Sequence, residues 1–471
     1  MHHHMVILGG GPAGYVAASH AAAHGARVTL VEPKPLGGTC LNQGCVPTKV
    51  LVESCGLLEK LRRADEFGLQ VAGAVSADWT SINRRSAAVI AMLGEGIERL
   101  MEDRSVTCVR GYGEFLDANT IGVNGEHIQA DSILVCTGSK PIADPHFNVD
   151  GEIIGTSDDL LAWETLPRSL MIVGSGIIAC EFAFILDSLG VEVTLLASGS
   201  RLMSSADKDV SAVMQREMRK RSIKVELNCR IQSLVHAANG VSAFAGNRIV
   251  CSAERALVAV GRKANTADLG LERAGIRTNE WGEIVVDEVL KTSAPRVYAP
   301  GDVNGRSGLA HAASAQAKLA VDHALRREFN LIYDRAIPVA VFTNPEIAWV
   351  GRTEDEARAD GLDVVSGKFD LRGLGRAHAL GEISGFAKVV VDKSTGELIG
   401  LHIIGPHASE MVHEGAIVLQ RNGKAAELFA TVHAHPTISE GVLEAVEDAL
   451  GQATHKPLAA ARKEHNVLQF S

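Results

Sequence analysis

A short pattern of strand, glycine-rich turn, helix and strand constrains the fold of this chain more than any other feature. In its first copy, a predicted strand at residues 5–8 runs into GGGPAG at residues 9–14, and a helical segment follows. A second predicted strand at residues 27–31 ends just before Glu32. The glycines let the backbone approach a pyrophosphate at the helix N-terminus, where free N–H groups and the helix dipole favour negative charge. A glycine motif alone more often marks a tight turn, but both strands are present and Glu32, 18 residues after Gly14, is placed to bind an adenosine ribose.

The same pattern recurs in the middle of the chain. A predicted strand at residues 169–173 precedes GSGIIA at residues 174–179, and another strand follows at residues 192–196. Ala197 stands at the offset that Glu32 occupies in the first copy, so the register is shared but the ribose-binding acid is missing. Two dinucleotide sites in one chain predict a bound flavin dinucleotide and a diffusing nicotinamide dinucleotide. The alternative is that one copy is a structural relic.

Composition excludes several other classes of protein. At 471 residues the chain is long enough for about three domains. A net charge of −10 argues against a nucleic-acid partner, and the longest apolar stretch, residues 170–186, is interrupted and short for a membrane span. Residues 1–5 (MHHHM) resemble an expression-tag remnant, so their histidines enter no metal argument. Eight cysteines without an export signal predict a cytoplasmic protein with most thiols reduced.

Two cysteines close to the first unit indicate redox chemistry. They lie in GGTCLNQGCVPTK, at residues 37–49, as Cys40 and Cys45. In a straight helix their Cα atoms would be roughly 8 Å apart, whereas a disulfide needs about 4.4–6.8 Å. The pair can therefore close only if the backbone bends, which Gly44 and Pro47 permit. A helix N-terminus there would lower a thiol pKa and favour the thiolate that disulfide exchange needs; the alternative is two buried helix cysteines.

Taken together, these motifs resemble those of the class I pyridine nucleotide–disulfide oxidoreductases, over essentially the whole chain. Further segments that carry the resemblance are CTGS at 136–139, AVGR at 259–262 with Asn265, YAPGD at 298–302, and HAHPT at 433–437 with Glu440. Within the family, the branch that oxidises dihydrolipoyl groups is the most similar, through LAH at 309–311, TNPEIA at 343–348, LHIIGP at 401–406 and the double histidine at 433 and 435.

The resemblance implies an α/β fold with two Rossmann-like dinucleotide-binding domains, for FAD and NAD(P), and a C-terminal α+β dimerisation domain. The expected domains are an FAD-binding domain at 1–140 and 265–335, an NAD(P)-binding domain at 141–264, and an interface domain at 336–471. The FAD-binding domain is expected to be discontinuous because Asp302 follows the insertion. The interface domain is expected to contain strands at 387–391 and 398–404 and helices near 409–422 and 439–451.

The resemblance also implies catalytic roles. Cys45 would lie nearer the flavin and Cys40 would face the substrate. His435 would take the substrate thiol proton, because histidine titrates near neutral pH, and Glu440 would orient it. The family architecture places this histidine across a dimer interface, so we expect a homodimer with a shared active site. A histidine and a carboxylate at this spacing could otherwise be an ordinary surface or core pair.

Lys49 and Glu181 form a second expected catalytic pair. A lysine near a flavin stabilises the anionic reduced ring, and a carboxylate can hold that lysine in place. The alternative is that each is a helix-surface charge. For Glu181 this alternative is weak, because its helix is otherwise apolar and a buried carboxylate without a partner is costly.

The cofactor-binding candidates come from the matched motifs. They are Gly9, Gly11, Pro12, Ala13, Gly14, Glu32, Pro33, Gly38, Thr39, Lys49, Gly113, Thr137, Gly138, Ser139, Arg262, Gly301, Asp302, Leu309, Ala310, His311, Gly174, Gly176, Ile177, Ile178, Glu181, Ala197, Ser198 and Gly261. The remaining cysteines have no metal-like spacing and are expected to be buried structural thiols, namely Cys55, Cys108, Cys136, Cys180, Cys229 and Cys251.

Position 197 bears on the choice of nicotinamide cofactor. NAD-dependent relatives usually place Glu there, because a carboxylate binds the ribose diol of NAD and repels the 2′-phosphate of NADP. Ala197 removes both effects, and Ser198 to Ser200 offer hydroxyls but no arginine. The expectation is NAD(H), with NADP(H) use left open.

The leading functional prediction is FAD-dependent oxidation of a dihydrolipoyl group, on a lipoylated carrier protein or free as dihydrolipoamide, with reduction of NAD. One alternative is an NAD(P)H-driven disulfide or quinone reductase, which Ala197 favours. A non-enzymatic subunit of a large complex is disfavoured because the expected catalytic residues are all present. Neither nucleic-acid binding nor membrane insertion is expected.

Overall fold

The computed structural model describes residues 3–332 and 334–456. Parts of the predicted FAD-binding and interface domains lie outside the described residues, namely residues 1–2, 333 and 457–471. The described chain divides into two compact units. The first contains residues 3–54, Ala77–Leu166 and Leu257–Ile332, and the second contains Cys55–Ser76, Pro167–Ala256 and residues 334–456. The boundaries of the three expected domains stay a prediction.

Helices and strands alternate through most of the described chain. The α-helices are Pro12–Ala23, Gly38–Asn42, Cys45–Arg62, Trp79–Asp103, Ser157–Leu160, Ile177–Ser188, Lys208–Lys220, Ala310–Ala324, Glu354–Ala359, Gly375–Leu380, Ala408–Gln420, Ala425–Phe429 and Glu440–Ala449. Short 3₁₀ turns are Ala64–Phe67, Pro145–Phe147, Leu271–Ala274, Asp302–Asn304, Asp334–Ala336 and Leu371–Gly373. The strands are His4–Leu8, Arg27–Val31, Thr107–Val109, Glu114–Asp117, Thr120–Val123, Glu126–Gln129, Ser132–Val135, Ser139–Pro141, Ile154–Gly155, Ser169–Val173, Glu192–Leu196, Lys224–Glu226, Ser233–Ala237, Gly240–Ala245, Arg248–Ala253, Arg255–Val258, Arg262–Ala264, Val297–Tyr298, Val339–Val341, Ile347–Gly351, Val364–Asp370, Phe386–Asp392 and Leu398–Ile404.

A parallel sheet forms the centre of the first unit. Its strands lie in the order Val297–Tyr298, Ser132–Val135, His4–Leu8, Arg27–Val31 and Thr107–Val109. The middle strand is buried along its whole length, as expected of a parallel strand covered on both faces. The first predicted unit of strand, turn, helix and strand is therefore confirmed.

Although the histidine run resembles a tag remnant, His4 is part of this sheet. Its side chain is buried, and Nδ1 lies 2.7 Å from the carbonyl oxygen of Gln129. Its Nε2 lies 3.0 Å from Thr29 Oγ1. Burial, followed by the charge of Arg27, lowers the pKa of His4.

The first helix, Pro12–Ala23, has small side chains on its buried face and packs closely against its neighbours. Proline at its first position suits a helix start, because its fixed φ is helical and its missing N–H would have no helical partner. The buried face consists of alanines and one glycine, which lets the helix lie close to the sheet and to the helix Ala310–Ala324. The chain leaves the helix at Gly25, whose φ of 83° favours glycine.

The second unit contains the second copy of the pattern. Its strands Ser169–Val173, Glu192–Leu196 and Lys224–Glu226 pair in parallel. The helix Ile177–Ser188 follows the first of them and is almost entirely buried. The second predicted unit of strand, turn, helix and strand is therefore also confirmed.

Residues 334–456 form an antiparallel sheet with helices. The strands lie in the order Val339–Val341, Ile347–Gly351, Leu398–Ile404, Phe386–Asp392 and Val364–Asp370. The helices Ala408–Gln420 and Glu440–Ala449 pack on it through a core of aliphatic residues. The strands and helices predicted here are confirmed to within about two residues, and so is the α/β class with a C-terminal α+β region.

Across residues 3–332 and 334–456, none of the helices has both the length and the apolar content that a membrane span needs.

Candidate active site

The first glycine turn is held by close backbone contacts. Gly9 has a φ of 101°, and a Cβ there would lie 2.3 Å from the carbonyl oxygen of Cys136. A Cβ on Gly14 would lie 1.7 Å from the carbonyl oxygen of Gly9. Both contacts are shorter than a side chain tolerates, so the turn and the following helix can take these positions only with glycine. Gly11 precedes that helix without a side-chain cap on its first N–H groups.

Glu32 lies beside the same turn, at the end of the strand Arg27–Val31. Its Oε2 accepts a hydrogen bond of 2.6 Å from the backbone N–H of Gly10, and its Oε1 accepts one of 2.8 Å from Lys34. Each carboxylate oxygen can accept a further hydrogen bond. The ribose contact expected for Glu32 stays a prediction.

Asp302 is joined to two other predicted cofactor residues. Its Oδ2 accepts a hydrogen bond of 2.6 Å from Ser139 Oγ. Arg262 donates to the same hydroxyl and to the Ser139 carbonyl oxygen, both at 2.9 Å. The structure thus brings together residues from three motifs that are distant in the chain.

Sequence reasoning missed the residues that hold the segment around Asp302 in place. Gln316, which is 3% exposed, accepts hydrogen bonds from the Gly301 N–H at 2.8 Å and from Asn304 Nδ2 at 3.0 Å. Asn304 also donates to the Ala299 carbonyl oxygen at 2.8 Å. A glutamine in an alanine-rich helix was the available signal, since a buried amide needs partners.

Other predicted cofactor residues of the first unit lie in or beside the same motifs. Gly38 lies against the glycine turn, since a Cβ there would be 2.6 Å from Gly11 Cα. Thr137 donates to the Asn265 carbonyl oxygen at 2.7 Å, close to the CTGS motif. Leu309 precedes the helix Ala310–Ala324, so His311 lies in its first turn. The uncapped N–H groups of the first helix and the close glycine turn before it suit a pyrophosphate. Asp302 is a carboxylate that already accepts a hydrogen bond from a hydroxyl. These residues therefore fit FAD.

The predicted redox pair lies at a break between two helices. Cys40 is in the helix Gly38–Asn42, and Cys45 is the first residue of the helix Cys45–Arg62. The bend that their spacing requires is therefore present, at Gln43 and Gly44. A hydrogen bond with Cys45, followed by burial, raises the pKa of the Cys40 thiol far above its ordinary value. The lowered thiol pKa expected near a helix N-terminus does not apply to Cys40, which lies before that helix.

Three of the other cysteines behave as the predicted structural thiols. Burial raises the pKa of Cys55 to about 12, and it also raises the pKa values of Cys136 and Cys180. Cys108 is exposed, so the prediction is wrong for it, because the short strand Thr107–Val109 lies at the edge of the sheet. Cys229 and Cys251 are only half-buried.

The predicted histidine and carboxylate are in contact. His435 Nδ1 lies 2.8 Å from Glu440 Oε1, at the start of the helix Glu440–Ala449, and the His435 side chain is 78% exposed. The other carboxylate oxygen accepts a 2.9 Å hydrogen bond from the Thr437 N–H. Burial opposes ionisation of Glu440, but these hydrogen bonds hold its pKa below the ordinary value. An anionic Glu440 therefore fixes the orientation of an imidazole whose remaining surface is open.

The neighbouring histidine has a different partner that the sequence did not indicate. His433 Nε2 lies 3.0 Å from Glu414 Oε2, and its side chain is 6% exposed. This pair fixes the segment before His435 to the helix Ala408–Gln420.

Glu181 is buried, as its apolar helix predicted, and it has a backbone partner. Its side chain is 3% exposed, and Oε1 accepts a hydrogen bond of 2.8 Å from the Phe342 N–H. The pairing of Glu181 with Lys49 stays a prediction.

The second glycine turn repeats the arrangement of the first. Gly176 precedes the helix Ile177–Ser188 without a side-chain cap. Ala197 is fully buried at the end of the strand Glu192–Leu196, and Ser198 beside it is exposed. Arg201 donates a hydrogen bond of 2.5 Å to the Ser204 carbonyl oxygen within its own loop.

The chain belongs to the pyridine nucleotide-disulphide oxidoreductase family. The model of this family matches residues 3–317, and the model of the family's dimerisation domain matches residues 337–446. The predicted family, fold class and enzyme class, a flavoprotein disulfide oxidoreductase, are therefore confirmed. Membership implies FAD and a nicotinamide dinucleotide as cofactors.

Particular relatives resemble the chain over nearly its whole length. A dihydrolipoyl dehydrogenase of Bacillus subtilis is 37% identical over 469 residues, which covers 96% of this chain and 98% of the relative. A dihydrolipoyl dehydrogenase of Geobacillus stearothermophilus is 36% identical, with coverage of 96% and 97%. Among solved structures, LpdA from Mycobacterium tuberculosis has a TM-score of 0.88 at 32% identity, covering 94% of this chain and 99% of that one. The HOCl-induced flavoprotein disulfide reductase RclA from Escherichia coli has a TM-score of 0.84 at 27% identity, with coverage of 94% and 99%.

Proposed function

We propose that this chain is an FAD-dependent dihydrolipoyl dehydrogenase, which oxidises dihydrolipoyl groups through Cys40 and Cys45 and reduces NAD. The observation that carries the proposal is the hydrogen-bonded cysteine pair at a helix break, in a segment that begins against the nucleotide-binding turn at Gly11. Similarity to enzymes of that name over 96% of the chain gives the substrate class.

The first half-reaction follows from thiol–disulfide exchange. A substrate thiolate attacks Cys40 Sγ of the Cys40–Cys45 disulfide, which forms a mixed disulfide and releases Cys45 as a thiolate. The second substrate thiolate then displaces Cys40, so the lipoyl disulfide leaves and both cysteines are reduced by two electrons. His435 of the partner subunit, oriented by Glu440, takes the proton of the first attacking thiol, and the proton of the second passes to Cys40 as that sulfur leaves.

The two cysteines are suited to different parts of this exchange. Cys45 begins an 18-residue helix, whose dipole stabilises a thiolate there, and Lys49 follows one turn later. Cys40 keeps its proton because its pKa is raised. When bound, FAD supplies the two-electron acceptor between this dithiol and the nicotinamide.

NAD is the proposed acceptor, and the chain offers little to distinguish it from NADP. Ala197 provides no carboxylate for the ribose diol, and the nearby Arg201 is engaged by its own loop. A nicotinamide-driven disulfide or quinone reductase is the second candidate. The absence of the acid at position 197 and the similarity to a disulfide reductase favour it.

The partners belong to the same proposal. The match to a dimerisation domain supports a homodimer with a shared active site. A lipoylated carrier protein or free dihydrolipoamide would be the thiol donor. A cytoplasmic location would suit the cysteine content outside the redox pair, because that compartment keeps thiols reduced.

A steady-state assay of the FAD-loaded dimer with dihydrolipoamide, comparing NAD and NADP at matched concentrations, tests the function. We expect rapid NAD reduction that Cys45→Ser abolishes and that Cys108→Ser, at an exposed thiol outside the pair, leaves unchanged. Negligible activity with dihydrolipoamide, together with fast flavin reduction by NADPH, would contradict the dehydrogenase and support the reductase.

A further inference from the structure

Three potential metal ligands lie together where two helices of the first unit end. His20 is in the last turn of the helix Pro12–Ala23, His24 caps that helix, and Asp322 is near the end of Ala310–Ala324. One donor atom from each side chain lies within 4.8 Å of the other two, and His20 Nε2 is 2.9 Å from Asp322 Oδ1. We propose that this cluster binds a divalent first-row transition-metal ion such as Zn²⁺.

The donor set is selective for that class of ion. Two imidazole nitrogens and one carboxylate oxygen suit Zn²⁺, Ni²⁺ or Cu²⁺, whereas Mg²⁺ and Ca²⁺ prefer oxygen ligands throughout. Histidines four residues apart lie on one face of a helix, one turn above the other. Three protein ligands leave a position for water, as in zinc sites that remain open.

A hydrogen bond already fixes the protonation of one ligand. His24 Nδ1 donates to the His20 carbonyl oxygen at 2.8 Å, so the lone pair of the neutral ring is on Nε2. Histidines that bind metals commonly donate their other ring N–H in this way. The rings of His20 and His24 have centroids 4.5 Å apart and an interplanar angle of 69°.

The surrounding charges both favour and oppose the ion. Two helices end at the cluster, and the negative end of each helix dipole favours a cation. Arg327 opposes it, since Nε lies 3.4 Å from Asp322 Oδ1. The Arg327 side chain is 47% exposed, so the ion can displace it from a weak, solvent-screened pair.

The cluster is held on a rigid base, so little rearrangement is needed. The two helices pack through buried alanines, including Ala17 and Ala21 on one and Ala317 and Ala320 on the other. In a tetrahedral zinc site neighbouring donor atoms are roughly 3.4 Å apart. His24 is exposed and can make the remaining movement by a change of side-chain rotamer.

A bound ion would link the ends of the two helices and stabilise the first unit by mass action. The cysteine pair takes no part, so the site is independent of the proposed redox reaction.

The test is calorimetric titration of Zn²⁺ into the FAD-loaded full-length dimer. The cysteine pair is kept oxidised, so that its thiols do not compete. We expect His24→Ala and Asp322→Asn each to weaken binding at one site by at least about tenfold. His146→Ala is the matched control, because His146 forms a similar exposed pair with Asp144 at 2.8 Å. The wild type and this control should also gain thermal stability with Zn²⁺, and His24→Ala should not.

Flavin content shows whether each variant is folded. Equal Zn²⁺ affinity and stoichiometry in the wild type and in His24→Ala would overturn the proposal. So would loss of binding only when His2 and His3 are both replaced by Ala, since the N-terminal histidines would then be the ligands. Binding lost in His24→Ala but unchanged in Asp322→Asn would contradict the three-ligand site.

Discussion

At the scale of single residues, the two cysteines occupy unlike environments. Cys40 is half-buried and hydrogen bonded to its neighbour, which raises its pKa, whereas Cys45 is exposed at the start of a helix. Negative charge is therefore more stable on Cys45 than on Cys40. The same reasoning applies to the histidine and its carboxylate, where a lowered Glu440 pKa keeps an anion beside His435.

Replacing Glu440 tests whether this carboxylate orients the base. We expect Glu440→Gln to lower kcat/KM for dihydrolipoamide by about 10- to 100-fold, since the imidazole loses its anionic partner. Flavin reduction by NADH, which does not use the base, should change little. Stopped-flow measurement of both half-reactions separates these effects. Glu444→Gln is the matched control, because Glu444 lies on the same helix as Glu440 and also pairs with a histidine, His455, at 2.6 Å. An equal loss in both variants would contradict the positioning role.

The depressed Glu440 pKa also has a pH consequence. Because the folded value lies below the ordinary one, the hydrogen bonds to Glu440 stabilise the fold fully at neutral pH. That contribution is lost as the pH falls from the ordinary value of 4.5 through the folded pKa.

Position 197 tests the choice of nicotinamide. We expect Ala197→Glu to raise the ratio of kcat/KM for NAD over NADP by at least about tenfold, because a carboxylate repels the 2′-phosphate and can bind the ribose diol. Asn247→Glu, which adds the same charge to an exposed turn, should leave the ratio unchanged. An unaltered ratio in Ala197→Glu would contradict the register of the second motif.

At the scale of elements, the start of each nucleotide-binding helix is determined by contacts of the turn before it. The helix Pro12–Ala23 can lie against Gly9, which directly follows the strand His4–Leu8, because Gly14 carries no side chain. Its uncapped N–H groups remain for an anion, and the helix Ile177–Ser188 repeats this feature.

A single methyl group at this contact should prevent cofactor retention. In Gly14→Ala the new Cβ would lie 1.7 Å from the Gly9 carbonyl oxygen, so helix and turn must separate. We expect less than about a tenth of the wild-type FAD content after gel filtration, with a lower unfolding temperature. Gly96→Ala is the control, since its Cβ meets nothing within 4 Å in the exposed middle of a helix. That variant should gain roughly 0.5–1 kcal/mol. Normal FAD content in Gly14→Ala would refute the close contact.

At the scale of the whole molecule, buried polar clusters join distant segments of the second unit. Lys388 Nζ lies 3.0 Å from Asp207, 3.1 Å from Asp209 and 3.2 Å from Glu354, and its side chain is 3% exposed. Burial opposes its charge, but the carboxylates raise the pKa of Lys388 above the ordinary value. Stability from this cluster is therefore present at neutral pH and is lost only as the pH rises above about 10.5.

Removing this lysine should weaken the second unit. We expect Lys388→Met to lower the free energy of unfolding by about 3–5 kcal/mol, because three carboxylates lose their common partner. Lys393→Met is the comparison, since Lys393 forms a solvent-exposed pair with Asp363 and should cost at most about 1 kcal/mol. Urea denaturation of both variants measures the difference, and equal values would show that the buried cluster contributes no more than a surface pair.

A second cluster joins three other segments. Arg221 donates two hydrogen bonds to Glu59, which also accepts from Asn344 and Ser188. Glu59 belongs to the helix that starts at Cys45, so this cluster secures the far end of that helix.

The sequence by itself determined the repeated nucleotide-binding unit, the helix break between the cysteines and the contact of His435 with Glu440. These features depend on local patterns or on residues close in the chain, where steric and hydrogen-bonding preferences act directly. Only the tertiary structure decided that Lys388 meets Asp207, 181 residues away, and that Phe342 is the partner of Glu181. It also paired His433 with Glu414 and placed Cys108 at an exposed sheet edge. The physical reason is that a buried charge needs some partner, but which one it meets depends on how the elements pack.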